Sequence, residues 1–105
     1  MNSGIFILKI TEDPNQEYYK TQIKLLEIQA NFNYLIKNNI FSENFNLLIW
    51  GDQIDNVLKY YRKDDYIVVE GIVNLSSELD KNSLKSKEKK IEITVLDIYL
   101  LFPVV

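Results

Sequence analysis

Five lysines crowd the segment from residue 81 to residue 90 (Lys81, Lys85, Lys87, Lys89 and Lys90), and the chain's single tryptophan, Trp50, stands just before Gly51-Asp52. Ammonium groups in a polar connection can neutralise phosphates, and each such contact steepens the salt dependence of a polyanion complex by about one log unit. The same run reads equally as a solvated segment that keeps a sheet edge from aggregating. An indole ring that faces solvent is a platform on which a flat ligand stacks, whereas one that faces inward plugs a core. Trp50 fits either reading.

What is missing narrows the chemistry further. The sequence has no cysteine and no histidine, which removes disulfides, thiolate nucleophiles, most zinc and copper sites and the usual general base at neutral pH. Its carboxylates sit at turn or basic positions, as at Asp13-Pro14 and at Asp64-Asp65 after Arg62-Lys63, and form no recognisable catalytic or metal-binding constellation. A binding protein without catalysis, cofactor or metal is therefore expected. Net charge is −3, and Arg62 is the only arginine among twelve basic residues, so any site for a polyanion must be a local patch.

The elements that would position these groups follow from periodicity. With 105 residues, 47% of them hydrophobic and 26% charged, the composition suits one globular domain spanning residues 1–105. No run of 18 or more apolar residues predicts a membrane span, and no basic segment followed by a long apolar stretch predicts a signal or import sequence. Residues 5–10 form a short apolar strand that wants cover on both faces, stopped by Asp13-Pro14-Asn15. From about Thr21 to Leu35, Leu26, Ile28, Ala30, Phe32 and Tyr34 alternate with Glu27, Gln29, Asn31 and Asn33, the period of a half-buried strand. Lys37 to Asn44 reads as a polar loop or long hairpin connection.

Phe45 to Trp50 is the third strand, and its alternation puts Phe45 and Trp50 on opposite faces. A short helix follows, with Asp52 as its expected cap and Ile54, Val57, Leu58 and Tyr61 on one face. Arg62-Lys63 suits the C-terminal end of its dipole. Tyr66 to Leu75 is the fourth strand, with Ile67, Val69, Val73 and Leu75 on one side and Gly71 marking a bend or bulge. Ser76 to Lys90 reads as a polar linker. In the fifth strand, from about Ile91 to Leu101, the inward set shifts phase near Asp97, which implies a bulge there.

Five strands with one short α-helix between the third and fourth predict an all-β, five-stranded barrel of the oligonucleotide/oligosaccharide-binding (OB) kind. The details resemble the bacterial single-stranded DNA-binding protein family. Asp13-Pro14 followed by Tyr18-Tyr19, Trp50-Gly51 before the helix, Arg62-Lys63, and Val69-Glu70-Gly71 in the fourth strand match that family's motifs in order over nearly the whole chain. The size, and a richness in Ile, Asn and Lys that reflects A+T-rich codons, look most like the small members encoded in algal plastid genomes, which implies a plastid protein.

The resemblance implies sequence-independent binding of single-stranded DNA in DNA replication, repair or maintenance. Aromatics across strands 2 and 3 would stack bases and loop lysines would track phosphates. Tyr34, Phe45 and Trp50 become the expected stacking residues, and Lys81, Lys85, Lys87, Lys89 and Lys90 the expected phosphate contacts. Tyr34 also reads as the end of a core stripe. The family pattern further implies a homodimer through strand 1, and the apolar outer face of strand 4, with Val68 and Ile72, would extend that interface. Two departures favour an alternative, a protein-interaction adaptor with little DNA affinity: Asp52 stands where the family has lysine, and Asn74 to Glu78 lacks the family's basic residues.

Overall fold

Alternation of apolar and polar residues is what closes the sheet. The computed structural model describes residues 2–15, 24–78 and 88–102. Its elements run β1 (Asn2–Ile10), β2 (Leu25–Ile36), β3 (Asn39–Trp50), α1 (Gln53–Tyr60), β4 (Tyr66–Glu78) and β5 (Glu88–Leu101). The strands form a closed barrel in the order β1-β2-β3-β5-β4, antiparallel throughout except for the parallel pairing of β3 with β5. This is the OB barrel expected from the sequence, with its helix between β3 and β4.

Every second side chain in the barrel points inward. Leu8 and Ile10, Leu26, Ile28 and Ala30, Leu47 and Ile49, Ile67 and Val69, and Ile93 and Val95 are all buried in one core. Helix α1 adds Ile54 and Val57 to that core, with Tyr61 just beyond its end and Leu58 half-buried beside them. Eight residues make a marginal helix in water, so the docking of these side chains, each worth roughly 1.5–3 kcal/mol when fully buried, is what sustains it.

The entry to α1 is built differently from the expectation, and its exit as expected. Asp52 does not cap it: its backbone is already helical (φ −68°, ψ −20°), so its carboxylate makes no cap hydrogen bond. The entry is instead made by Gly51 at φ +69°, whose carbonyl accepts from the Ile54 N–H at 3.2 Å. At the exit, Arg62 folds its guanidinium back to donate to the carbonyls of Leu58 (3.0 Å), Lys59 (3.3 Å) and Tyr61 (2.8 Å). The only arginine is thereby committed to the helix end.

The bulge in the last hairpin lies where the sequence places it. Glu70 pairs with Asp97 but Gly71 pairs with Val95, which leaves Leu96 as the extra residue. Its carbonyl accepts from Gln53 Nε2 at 2.7 Å, tying the bulge to α1. Gly71 is required here, because a Cβ at that position would lie 2.5 Å from the Thr94 carbonyl oxygen and 2.6 Å from Ile93 Cγ2.

Strand limits differ from the sequence reading in three places. β1 starts at Asn2, and β4 and β5 continue as a ladder from Ser76 to Glu78 and from Glu88 to Lys90, where a linker was expected. Leu75, expected inward, is 77% exposed because this ladder extends past the core. The expected loop from Lys37 to Asn44 is strand from Asn39 onward. Lys37 and Asn38, at φ +50° and +66°, make a two-residue hairpin turn, and every residue from Leu25 to Ile36 pairs with one from Asn39 to Trp50.

Candidate functional site

The β2–β3 hairpin is longer than the barrel it belongs to. Beyond Ala30 and Phe45 its residues no longer have a core to cover, and Phe32, Leu35, Ile36, Ile40 and Phe41 are all exposed. This distal part is a two-faced arm. By alternation and register, one face carries Phe32, Tyr34, Phe41 and Glu43, in phase with the barrel interior; the other carries Asn31, Asn33, Ser42 and Asn44, with Leu35 and Ile40 near the tip.

The aromatics of the first face stack on one another. Phe32 and Tyr34 have ring centroids 5.9 Å apart, Tyr34 and Phe41 5.6 Å, and both pairs are within 20° of parallel. The series continues into the barrel mouth. Phe32 and Phe45 line a groove of about 350 Å³ with Ile5, Phe6, Ile7 and Leu8, and Phe45 meets Phe6 at 6.5 Å. A neighbouring hollow of about 310 Å³ adds Lys9, Asn31, Asn33 and Tyr66 around Phe32. Lys9 is ion-paired with Asp64 at 3.6 Å and lies 6.0 Å from the Tyr66 ring centre.

Of the residues singled out from the sequence, Tyr34 and Phe45 therefore share one face, joined through Phe32. Trp50 is 44% exposed, so it does not plug the core, but it pairs with Leu25 on the opposite face and at the far end of the hairpin. Lys81, Lys85 and Lys87 lie outside the described residues. Lys89 and Lys90 follow Glu88 at the start of β5, opposite Ser77 and Ser76. Phe32 and Phe41 were not singled out. Their signal was an alternation that runs past the core in β2, and an Asn at position 38, a residue that tolerates the left-handed backbone and so lets Phe41 fall opposite Tyr34.

A second exposed surface lies on the outside of the barrel. Ile5 and Ile7, 71% and 56% exposed, pair with Glu70 and Val68 of β4, which pair in turn with Asp97 and Tyr99 of β5. Along its other edge β1 meets β2 only at Lys9 and Ile10, so among the described residues the backbone from Asn2 to Leu8 is open on that side. Among the described residues, no group of His, Cys, Asp or Glu is arranged to hold a metal ion, and no helix is long and apolar enough to cross a membrane. Buried Tyr61 donates to the Ile98 carbonyl at 3.2 Å; burial, and then the nearby Tyr99, push its phenol above the usual value of 10.0.

The profile of the single-strand binding protein family matches residues 1–101. The chain belongs to that family. A protein of Trieres chinensis, provisionally named single-stranded DNA-binding protein ycf41, is 33% identical over 100 residues, covering 94% of this chain and 88% of its own. Three solved structures share the fold. The SSB domain of a Synechococcus sp. protein is 23% identical with a TM-score of 0.66, and the alignment covers 94% of each chain. A small single-stranded DNA-binding protein from Streptomyces coelicolor is 11% identical with a TM-score of 0.69, covering 95% of each. The Plasmodium falciparum SSB in complex with ssDNA is 16% identical with a TM-score of 0.72, covering 97% of this chain and 96% of its own.

Proposed function

We propose that this protein binds single-stranded DNA without reading a defined sequence and catalyses no reaction. The observation that carries this is the stacked row Phe32, Tyr34 and Phe41 on the arm, with Phe32 and Phe41 exposed and Tyr34 half-buried between them. Exposing aromatic faces forfeits burial energy, and base stacking recovers about 1–3 kcal/mol per ring. Phe45 and Phe6 continue the row into the barrel mouth. Lys9 and the lysines from Lys81 to Lys90 supply phosphate contacts, and Trp50 is a second stacking point that the strand reaches by passing around the hairpin. DNA maintenance within a plastid is the setting that fits the residue bias and the resemblance to plastid-encoded members.

We further read the protein as a homodimer. Ile5, Ile7, Val68 and Tyr99 give the outer face an apolar surface, and the open edge of β1 is suited to antiparallel pairing with a second copy about a two-fold axis.

Fluorescence anisotropy with labelled oligo-dT at low and moderate salt tests the binding. Affinity that falls as salt rises, and that is lost with the arm aromatics, is expected. An adaptor with little DNA affinity is the second reading, favoured by Glu43 on the aromatic face and by the pairing of Lys9 with Asp64. It predicts no binding at tens of micromolar protein in low salt.

A further inference from the structure

The aromatic face of the arm carries one charged side chain among the described residues, and it has the sign of the phosphates that such a face would meet. Glu43 pairs directly with Phe32 and, two residues away on either side along β3, is flanked by Phe41 and Phe45. Directly opposed residues have Cβ atoms about 5 Å apart, so Glu43 emerges beside Phe32 on the same face, with its carboxylate within reach of a base stacked there. It is exposed and has no hydrogen-bond or ion-pair partner among the described residues.

A base stacked on Phe32 lies with its plane along the ring and its edge pointing sideways, toward the position of Glu43. A carboxylate only accepts hydrogen bonds, through two oxygens that favour a pair of parallel donors. Guanine presents such a pair on its Watson–Crick edge, the N1–H and one N2–H. Adenine and cytosine offer a single amino group beside an acceptor nitrogen, and thymine one N3–H between two carbonyls. Resting on the single-stranded DNA reading above, we propose that Glu43 is a specificity-determining residue that selects guanine at the Phe32 stacking position. The protein tolerates any sequence by stacking but prefers strands that place a guanine there.

The test compares three oligo-dT probes that differ at one central nucleotide: thymine, guanine, or hypoxanthine, which keeps N1–H but lacks the N2 amine. The guanine probe is expected to bind about fivefold more tightly than the thymine probe, the lower end for a bidentate base contact because this site is open to water, with hypoxanthine between them. In Glu43→Gln the order collapses, since the amide replaces one of the two acceptor oxygens with an NH2 donor that opposes the guanine N–H groups. Equal affinity of the wild-type protein for all three probes overturns the proposal while leaving DNA binding intact. So does a Glu43→Gln variant that binds all three more tightly by the same factor, which would make Glu43 a phosphate-repelling charge alone. If no probe binds, oligo-dT included, the DNA reading falls first and the proposal with it.

Discussion

Tyr34 and Phe41 face each other across the β2–β3 arm with ring centres 5.6 Å apart and planes 20° from parallel, beyond the last residues that the core can cover. Neither ring holds the barrel together. Tyr34→Ala and Phe41→Ala should each weaken binding to oligo-dT by about 1–3 kcal/mol, while costing no more than about 1 kcal/mol of stability through the lost cross-strand pair. Anisotropy titrations beside urea melts check this; a loss of stability as large as the loss of affinity would make the row a folding element.

Trp50 lies on the other face of the same hairpin, so its contribution should depend on oligonucleotide length. A strand of about 4 nucleotides covers one cluster, and one of about 16 can pass around the arm. Tyr34→Ala is expected to weaken both, Trp50→Ala only the longer. Equal effects of Trp50→Ala on both lengths would place the indole in the primary site.

The outer face predicts self-association. Sedimentation across the micromolar range should show a dimer, and Ile5→Lys or Ile7→Lys should weaken it by at least about tenfold, since each puts an ammonium into the apolar interface. A monomer at every concentration would end the idea.

Gly71→Ala should lower stability by about 1–3 kcal/mol, or a melting temperature by about 5–20 °C, because the backbone carbonyl of Thr94 cannot yield as a flexible side chain would. Thermal melts decide it, and an unchanged midpoint would show that the bulge at Leu96 absorbs the methyl group.

Tyr61 makes stability fall at alkaline pH. Its phenol is raised above 10.0 in the folded protein by burial and then by Tyr99, so above that pH the unfolded chain loses its proton first and binds fewer protons than the folded one. The stabilisation is whole below pH 10.0 and disappears as pH climbs through the folded value. Urea midpoints from about pH 8 to 11 should therefore drop less in Tyr61→Phe than in the wild-type protein. Parallel curves would assign the alkaline loss to other groups.

How legible these features were depended on whether a residue's neighbours were local or distant. The core stripe Leu26, Ile28 and Ala30, the opposition of Phe45 and Trp50, and the phase break near Asp97 all follow from alternation within one strand. Only the β2 half of the arm does. Its β3 half, from Asn39 to Asn44, is exposed throughout, so no hydrophobic pattern marks it as strand, and a turn made of Lys37 and Asn38 lacks the glycine that usually betrays it. Asp52 had the right side chain for a cap but the wrong backbone, fixed by Gly51 before it. Arg62 was legible as a partner for the helix end, and its guanidinium donates to three carbonyls there. The candidate site was half visible for the same reason: Tyr34 and Phe45 stand out by type, whereas Phe32 and Phe41 join them only through the strand pairing that brings the rings together.

The turn of Lys37 and Asn38 limits how this arm can change in evolution. With only two residues outside the ladder, the loss or gain of one residue in either strand would invert everything between it and the tip, exchanging the aromatic row for Asn33, Ser42 and their neighbours. Steps of two residues in each strand keep the row on its side of the hairpin, so arms whose lengths differ in this way would differ by whole rungs of stacked rings.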